Sequence, residues 1–287
     1  MINGSTRLLG VIGNPITHSL SPLMQNAAIA HLGANCVYLP FPVAAENLTQ
    51  ALDGFAAIGL GGFSVTIPHK VAIIPLLTAI TPVAQQVGAV NTVWRTDAGW
   101  QGTNTDVEGF LFPLKSWGWD GSGVTPLILG NGGAARAVVV GLWQMGCREI
   151  HVVGRDIHKL EAFIASWSDN EIKKAIKINL WSEIPSLIKN THLLVNTTPI
   201  GMSPHTWQSP LEEKIMDLLP GQAIAYDLVY NPSPSKFLHQ AQERGIKTID
   251  GLEMLARQGA IALEIWLQQS VPGEVMRDSL REYFSVH

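Results

Sequence analysis

Between Gly62 and Lys70, Phe63, Val65 and Ile67 alternate with Ser64 and Thr66. A period of two is the mark of a strand with one buried face. Pro68 stops it, and His69 and Lys70 follow at once. Short apolar runs of this kind recur along the chain: Arg7–Gly13, Cys36–Val43, Glu149–Arg155, Ala175–Leu180, His192–Pro199 and Gln222–Tyr230. Ala89–Thr96 and Gly99–Asp106 read as a hairpin turning at Asp97-Ala98-Gly99. Helical spacing fills most of the gaps, first behind Ser21-Pro22, which read as an N-cap and a first-turn proline. Gly251–Gln268 reads as a long amphipathic helix and Pro272–Phe284 as another. Strands alternating with helices predict a mostly parallel sheet covered on both faces. Two such α/β series are expected, meeting in the helical stretch around Asp106–Trp119.

The phosphate chemistry lies in the second series. Gly130, Gly132 and Ala135 form a G-x-G-x-x-A pattern between an apolar strand and a helix. Gly130 permits the tight turn, Gly132 lets backbone approach a pyrophosphate, and Ala135 lets helix and strand pack closely. The helix N-terminus attracts the negative charge. A plain glycine turn is the alternative reading. The next strand ends in Gly154-Arg155-Asp156, where an acid would take a ribose 2′-hydroxyl and an arginine a 2′-phosphate. Asp156 reads either toward the ribose or as a cap of the helix beginning near Ile157. Lys159, one helical turn on, adds positive charge. Asn196, Thr197 and Thr198 follow a later strand and are placed to line the cofactor crevice.

Three polar stretches at strand ends of the first series offer neutral donors and acceptors for a polyhydroxylated ligand: Ser19, Ser21, Thr66, Asn91 and Asn104. Lys70 and Asp106 are the acid–base types among them. Each also has a plain structural reading. Ser21 caps its helix, Lys70 is a solvated first-turn lysine, and Asp106 caps the helix from Val107.

Charge and composition narrow the function classes. The 287 residues suffice for about two domains, and 46% are hydrophobic, enough for sizeable cores. A formal net charge of −4 with no basic run argues against nucleic-acid or membrane-surface partners. Cys36 and Cys147 lie too far apart for a CxxC site, so neither a disulfide scaffold nor a zinc centre is expected. The start lacks the apolar run of a signal peptide, and no stretch of 18 apolar residues occurs. The expectation is a cytoplasmic protein.

The blocks "GNPITHSLSP", "SVTIPHK", "GAVNTV", "GTNTD", "GNGGAAR", "NTTPIGM", "DLVYNPSPS" and "GLEMLARQGA" resemble, in order, those of the shikimate dehydrogenase family. The resemblance runs over nearly the whole chain. It implies two α/β domains: a substrate (catalytic) domain of residues 1–105 plus 251–287, with a mostly parallel sheet, and a Rossmann-type domain of residues 106–250 that binds NADP. Lys70 and Asp106 become the catalytic pair. Ser19 and Ser21 hold the substrate carboxylate, while Thr66, Asn91, Tyr230 and Gln258 bind the rest of the substrate. The cofactor falls to Gly130, Gly132, Gly133, Ala134, Ala135, Arg155, Lys159, Asn196, Thr197, Thr198, Leu228 and Gly251.

The implied reaction is the reversible reduction of 3-dehydroshikimate to shikimate by NADPH, in aromatic amino acid biosynthesis, with no metal, by a monomer or homodimer. Ser64 and Ser235 depart from the family's frequent asparagine and threonine but keep polarity. Gly154 and Asp156 depart from its common "NRT". One rival is an NAD-preferring quinate/shikimate dehydrogenase, in which Asp156 would read the ribose. Another is a nucleotide-sensing protein on the same scaffold, which would have no use for both Lys70 and Asp106.

Overall fold

The computed structural model describes residues 2–286. The chain divides into two compact units: the part up to Asp106 together with the part from Leu255, and Val107–Met254.

Six strands build the first unit: β1 (Arg7–Gly13), β2 (Cys36–Pro42), β3 (Gly62–Val65), β4 (Ala79–Ile80), β5 (Thr92–Thr96) and β6 (Gly99–Thr103). They lie in the order β2-β1-β3-β5-β6-β4. β1 is parallel to β2 and to β3, whereas β5 runs antiparallel to both β3 and β6. This sheet is therefore mixed. The tight Asp97-Ala98 turn forces β5 and β6 to run in opposite directions, since a two-residue loop can join only antiparallel strands.

The core on one side of the sheet gathers Ile12, Leu48, Leu52, Phe55, Phe63 and Trp100. Phe63 stands between Phe55 and Trp100, with ring centroids 5.5 and 5.2 Å away. Burying a side chain of this size stabilises the fold by roughly 1.5–3 kcal/mol.

β3 departs from the expected alternation. It ends at Val65, and Ile67, expected on the buried face, is 66% exposed. Ser64, expected to face solvent, is buried and accepts a 2.9 Å hydrogen bond from the Tyr38 hydroxyl. The reason is position. β3 lies between β1 and β5 and is buried at all four residues, so period two carries no inside–outside information there. The first helix also begins differently. It spans Ser21–His31 with Leu20 as N-cap, so Ser21 lies inside the first turn and caps nothing.

The second unit contains β7 (Pro126–Leu129), β8 (Ile150–Gly154), β9 (Ile176–Leu180), β10 (Leu193–Asn196), β11 (Ile224–Asp227) and β12 (Lys247–Ile249). Their order is β12-β11-β10-β7-β8-β9, with every neighbouring pair parallel. The chain winds outward one way from β7, then restarts at β10 on its other flank. This is the doubly wound Rossmann order, with its switch point between β7 and β10. Four-residue strands such as β7, β10 and β11 are buried throughout, as strands covered by helices on both faces must be. Leu127, Leu129, Val153, Leu194, Ala225 and Phe237 belong to its core. No described helix is long and apolar enough to cross a membrane.

Candidate active site

Lys70 and Asp106 meet in the first unit. Lys70 lies in the single-turn helix His69–Ala72 that follows β3, and Asp106 opens the helix Asp106–Ser116 after β6. Lys70 Nζ stands 2.6 Å from Asp106 Oδ2, with the two side chains 16% and 8% exposed. Several contacts hold Lys70 from behind. Val90 N donates to the Lys70 carbonyl at 2.7 Å. His69, fully buried, places Nε2 2.7 Å from the Val43 carbonyl, so that nitrogen carries the proton and donates. Its Nδ1 has no hydrogen-bond partner among the described residues.

Asn91 organises the carboxylate. Its Nδ2 lies 2.7 Å from Asp106 Oδ1, 3.0 Å from Thr105 Oγ1 and 3.4 Å from Gln258 Oε1. Its Oδ1 accepts from Thr105 N at 2.8 Å and from the Thr92 hydroxyl at 3.0 Å. Asn104 completes the frame: its Oδ1 accepts from Asp106 N, and its Nδ2 donates to the Ala89 carbonyl. Asp106 is thus buried with both oxygens paired, one to an ammonium and one to a carboxamide. A buried carboxylate in that state keeps a single orientation.

Lys70, Asp106, Asn91 and Gln258 therefore form one hydrogen-bonded group. Thr66 sits at the end of β3, where its methyl packs so close to Gly13 that a Cβ there would be 2.5 Å from it. The loop after β1 is tied to the same turn by a bond from Asn14 N to the Ile67 carbonyl. Ser19 lies at that loop's far end and Ser21 in the first turn of the helix that follows; Ser21 N donates to Ser19 Oγ at 3.3 Å, and neither serine bonds to Lys70 or Asp106. Tyr230 lies in the other unit, in the segment after β11.

In the second unit the glycine turn links β7 to the helix Gly133–Gln144. Gly130 has φ +105°, and a Cβ there would come within 2.9 Å of Thr197 Oγ1 and 3.0 Å of Thr198 Cγ2. Only glycine fits. Gly132 is the helix N-cap with no side-chain cap bond, and a Cβ there would meet nothing within 4 Å. Open space before uncapped helix N–H groups suits a pyrophosphate. Ala135 is fully buried against the sheet. Thr197 N and Oγ1 both donate to the Leu129 carbonyl, pinning the loop after β10 to the end of β7. Arg155 and Lys159 are exposed and make no ion pair among the described residues. Asp156 instead caps the helix Ile157–Ala165, accepting from His158 N at 2.9 Å and Lys159 N at 3.3 Å. This donor set fits a nicotinamide dinucleotide carrying a 2′-phosphate.

Asn196 departs from expectation. Its side chain is fully buried, not lining a crevice. Its Oδ1 accepts from the Thr198 amide and hydroxyl, and its Nδ2 donates to Asp227 Oδ1 at 2.9 Å. Asp227 in turn accepts from Val229 N and from the Ser235 hydroxyl. Burial pushes its carboxyl up to about 7, against the lowering effect of those bonds. Leu228 N donates to the Asn196 carbonyl, and Gly251 packs so tightly on Leu228 that a Cβ would lie 2.6 Å from its carbonyl oxygen. Asn196 and Asp227 thus fix the loops bearing Thr197, Thr198 and Leu228.

Sequence reasoning missed Asp227, His69 and Arg136. Arg136, in the first turn of the glycine-loop helix, looks like a phosphate ligand by position. It is buried, stacks 4.5 Å from the Trp167 ring and donates to Ser166 Oγ at 2.6 Å. Burial lowers its guanidinium to about 10. No run of acids or apolar spacing marks these residues; a lone Asp ending an apolar strand was the available signal for Asp227.

Comparison with known proteins decides the lineage. A family model for the shikimate dehydrogenase substrate binding domain matches residues 11–93, and one for the shikimate 5′-dehydrogenase C-terminal domain matches residues 251–281. A shikimate dehydrogenase (NADP(+)) of Microcystis aeruginosa is 63% identical over 284 residues, covering 99% of each chain. The chain belongs to the shikimate dehydrogenase family. Solved members of that family share the fold. A shikimate dehydrogenase crystallised with NADP+ superposes with a TM-score of 0.88 at 35% identity, over 99% of this chain and 98% of that one. The shikimate 5-dehydrogenase of Thermus thermophilus, crystallised with NADP(H) and shikimate, gives 0.84 at 33% identity, over 96% and 99%.

Proposed function

We propose that this chain is an NADP-dependent shikimate dehydrogenase that reversibly reduces 3-dehydroshikimate to shikimate. The observation that carries the reading is the 2.6 Å Lys70–Asp106 pair, held by Asn91 and Gln258 in a chain of the shikimate dehydrogenase family. Bound NADPH supplies the hydride. Reduction of a ketone places negative charge on its oxygen, and the Lys70 ammonium stabilises that charge and donates the proton. In the reverse direction the lysine amine takes the proton back. Asp106 orients the ammonium and compensates its charge, and Asn91 keeps the carboxylate from turning away.

In this reading the first unit binds substrate and the Val107–Met254 unit binds cofactor. Ser19 and Ser21 take the carboxylate; Thr66, Asn91 and Gln258 take the ring hydroxyls, and Tyr230 is a further substrate-binding residue. The uncapped start of the helix Gly133–Gln144 takes the pyrophosphate, and Arg155 with Lys159 takes the 2′-phosphate. The NAD-preferring reading needed Asp156 at the ribose, whereas its carboxylate is engaged by two backbone N–H groups.

The test is a steady-state comparison of shikimate and quinate, each with NADP+ and NAD+, followed by absorbance of the reduced nicotinamide. The shikimate–NADP+ pair should give the highest kcat/KM. A higher kcat/KM with NAD+ overturns the cofactor assignment, and a higher one with quinate overturns the substrate assignment.

A further inference from the structure

We propose that Asn131, between the two glycines of the phosphate turn, helps select NADP over NAD by donating from its carboxamide to the ribose 2′-phosphate. The proposal rests on the NADP reading above.

Several observations meet at this residue. β8 ends in Gly154, so the strand end that usually carries a ribose-reading side chain carries none. Leu160 packs over part of the position, 3.0 Å from where a Cβ on Gly154 would stand, and Asn131 borders the rest, its Oδ1 3.4 Å from that Cβ. The carboxamide thus reaches across from the glycine turn to the end of β8. It is half-buried and makes no hydrogen bond among the described residues, leaving both its donors unspent. A carboxamide at a polar site without a protein partner is available to a ligand. Beyond Gly154 stand Arg155 and Lys159, two cations without an ion pair among the described residues, while the nearest acid, Asp156, is turned into its helix cap.

An anion with several acceptor oxygens fits two free cations and a neutral amide donor. An unphosphorylated ribose would leave the cations without a partner. Asn131 is also the only residue of the Gly130–Gly133 turn with a side chain, so specificity at the turn falls to it.

The experiment is direct titration of NADPH and NADH by nucleotide fluorescence, and of 2′,5′-ADP and 5′-AMP by calorimetry, on the full chain. The variants are Asn131→Ala, Asn131→Asp and Arg155→Ala. Asn131→Ala should weaken NADPH and 2′,5′-ADP by about ten- to a hundredfold, the effect of one hydrogen bond to an ionised group. NADH and 5′-AMP should stay within about twofold. Asn131→Asp should weaken NADPH by about a hundredfold or more through repulsion, again sparing NADH.

Equal weakening of NADPH and NADH in Asn131→Ala overturns the proposal, because the residue would then merely shape the turn. Unchanged NADPH affinity in both Asn131 variants, with loss in Arg155→Ala, overturns it while the NADP reading stands. If Arg155→Ala also binds NADPH like wild type, the 2′-phosphate site itself is misplaced and both fail.

Discussion

Replacing Asp106 with asparagine changes almost no volume but sets the wrong hydrogen-bonding pattern. Both partners of the native carboxylate are donors: Lys70 Nζ at 2.6 Å on one oxygen and Asn91 Nδ2 at 2.7 Å on the other. An asparagine has one acceptor oxygen, so its amide must face one of these donors whichever way it turns. One bond to an ionised group is lost, costing roughly 1.5–3 kcal/mol. At about 2–4 °C per kcal/mol for a domain of this size, melting should fall by roughly 3–12 °C. The ammonium also loses its counter-charge, and kcat should fall by about a hundredfold or more, the scale of a disrupted acid–base pair. NADPH affinity, set in the other unit, should be unchanged. The assay is NADP+ reduction by shikimate beside a thermal melt of the same sample. A folded Asp106→Asn enzyme with kcat within about threefold of wild type would refute the reasoning and leave Asp106 as a helix-opening residue only.

Gly130→Ala forces a side chain into φ +105° and within 3.0 Å of both threonines, so stability should drop by about 1–3 kcal/mol and NADPH affinity more than tenfold, read by melting and titration; wild-type NADPH binding would show that the turn tolerates a Cβ and is not a close phosphate site. Asp227 sets a pH dependence of stability. Its folded carboxyl holds a proton up to about pH 7, whereas an unfolded one releases it near 4. The group's contribution is therefore full below about pH 4 and lost as pH rises through 7, by roughly 4 kcal/mol. Asp227→Asn should narrow the gap between urea midpoints at pH 5 and pH 8 by at least half; an unchanged gap contradicts the assignment.

Much of this was legible in the chain because the chemistry sits where motifs are local. The glycine turn is one short run, Gly130–Gly133, between a strand and a helix, and the Lys70 block follows a strand whose end is punctuated by Pro68. Asp156 as a helix cap was one of two readings, decided by which N–H groups it meets. What stayed hidden depends on long-range packing. Alternation puts Ile67 on the buried face, yet β3 is enclosed by β1 and β5 and ends at Val65, and the chain turns from Thr66, whose carbonyl accepts from His69 N. Asn196 reads as a loop ligand until the Asp227 carboxylate, 31 residues on, is seen to hold it inside. Arg136 sits at a phosphate-facing position in the motif, but Phe163 and Trp167 draw it beneath the helix. The antiparallel β5–β6 pair of the first unit, by contrast, is local, and the short Asp97-Ala98-Gly99 turn already marks it in the sequence.

The central claim is that Lys70 carries the proton. Lys70→Met keeps the length and apolar stem of the side chain and removes the ammonium. The decisive measurement is kcat for shikimate oxidation by NADP+ in this variant, with binding of both ligands checked by titration. The account predicts near-normal binding and a kcat lowered by roughly 10²–10⁴-fold, the range for loss of a general acid. A folded, ligand-binding Lys70→Met protein that turns over at close to the wild-type rate would contradict it.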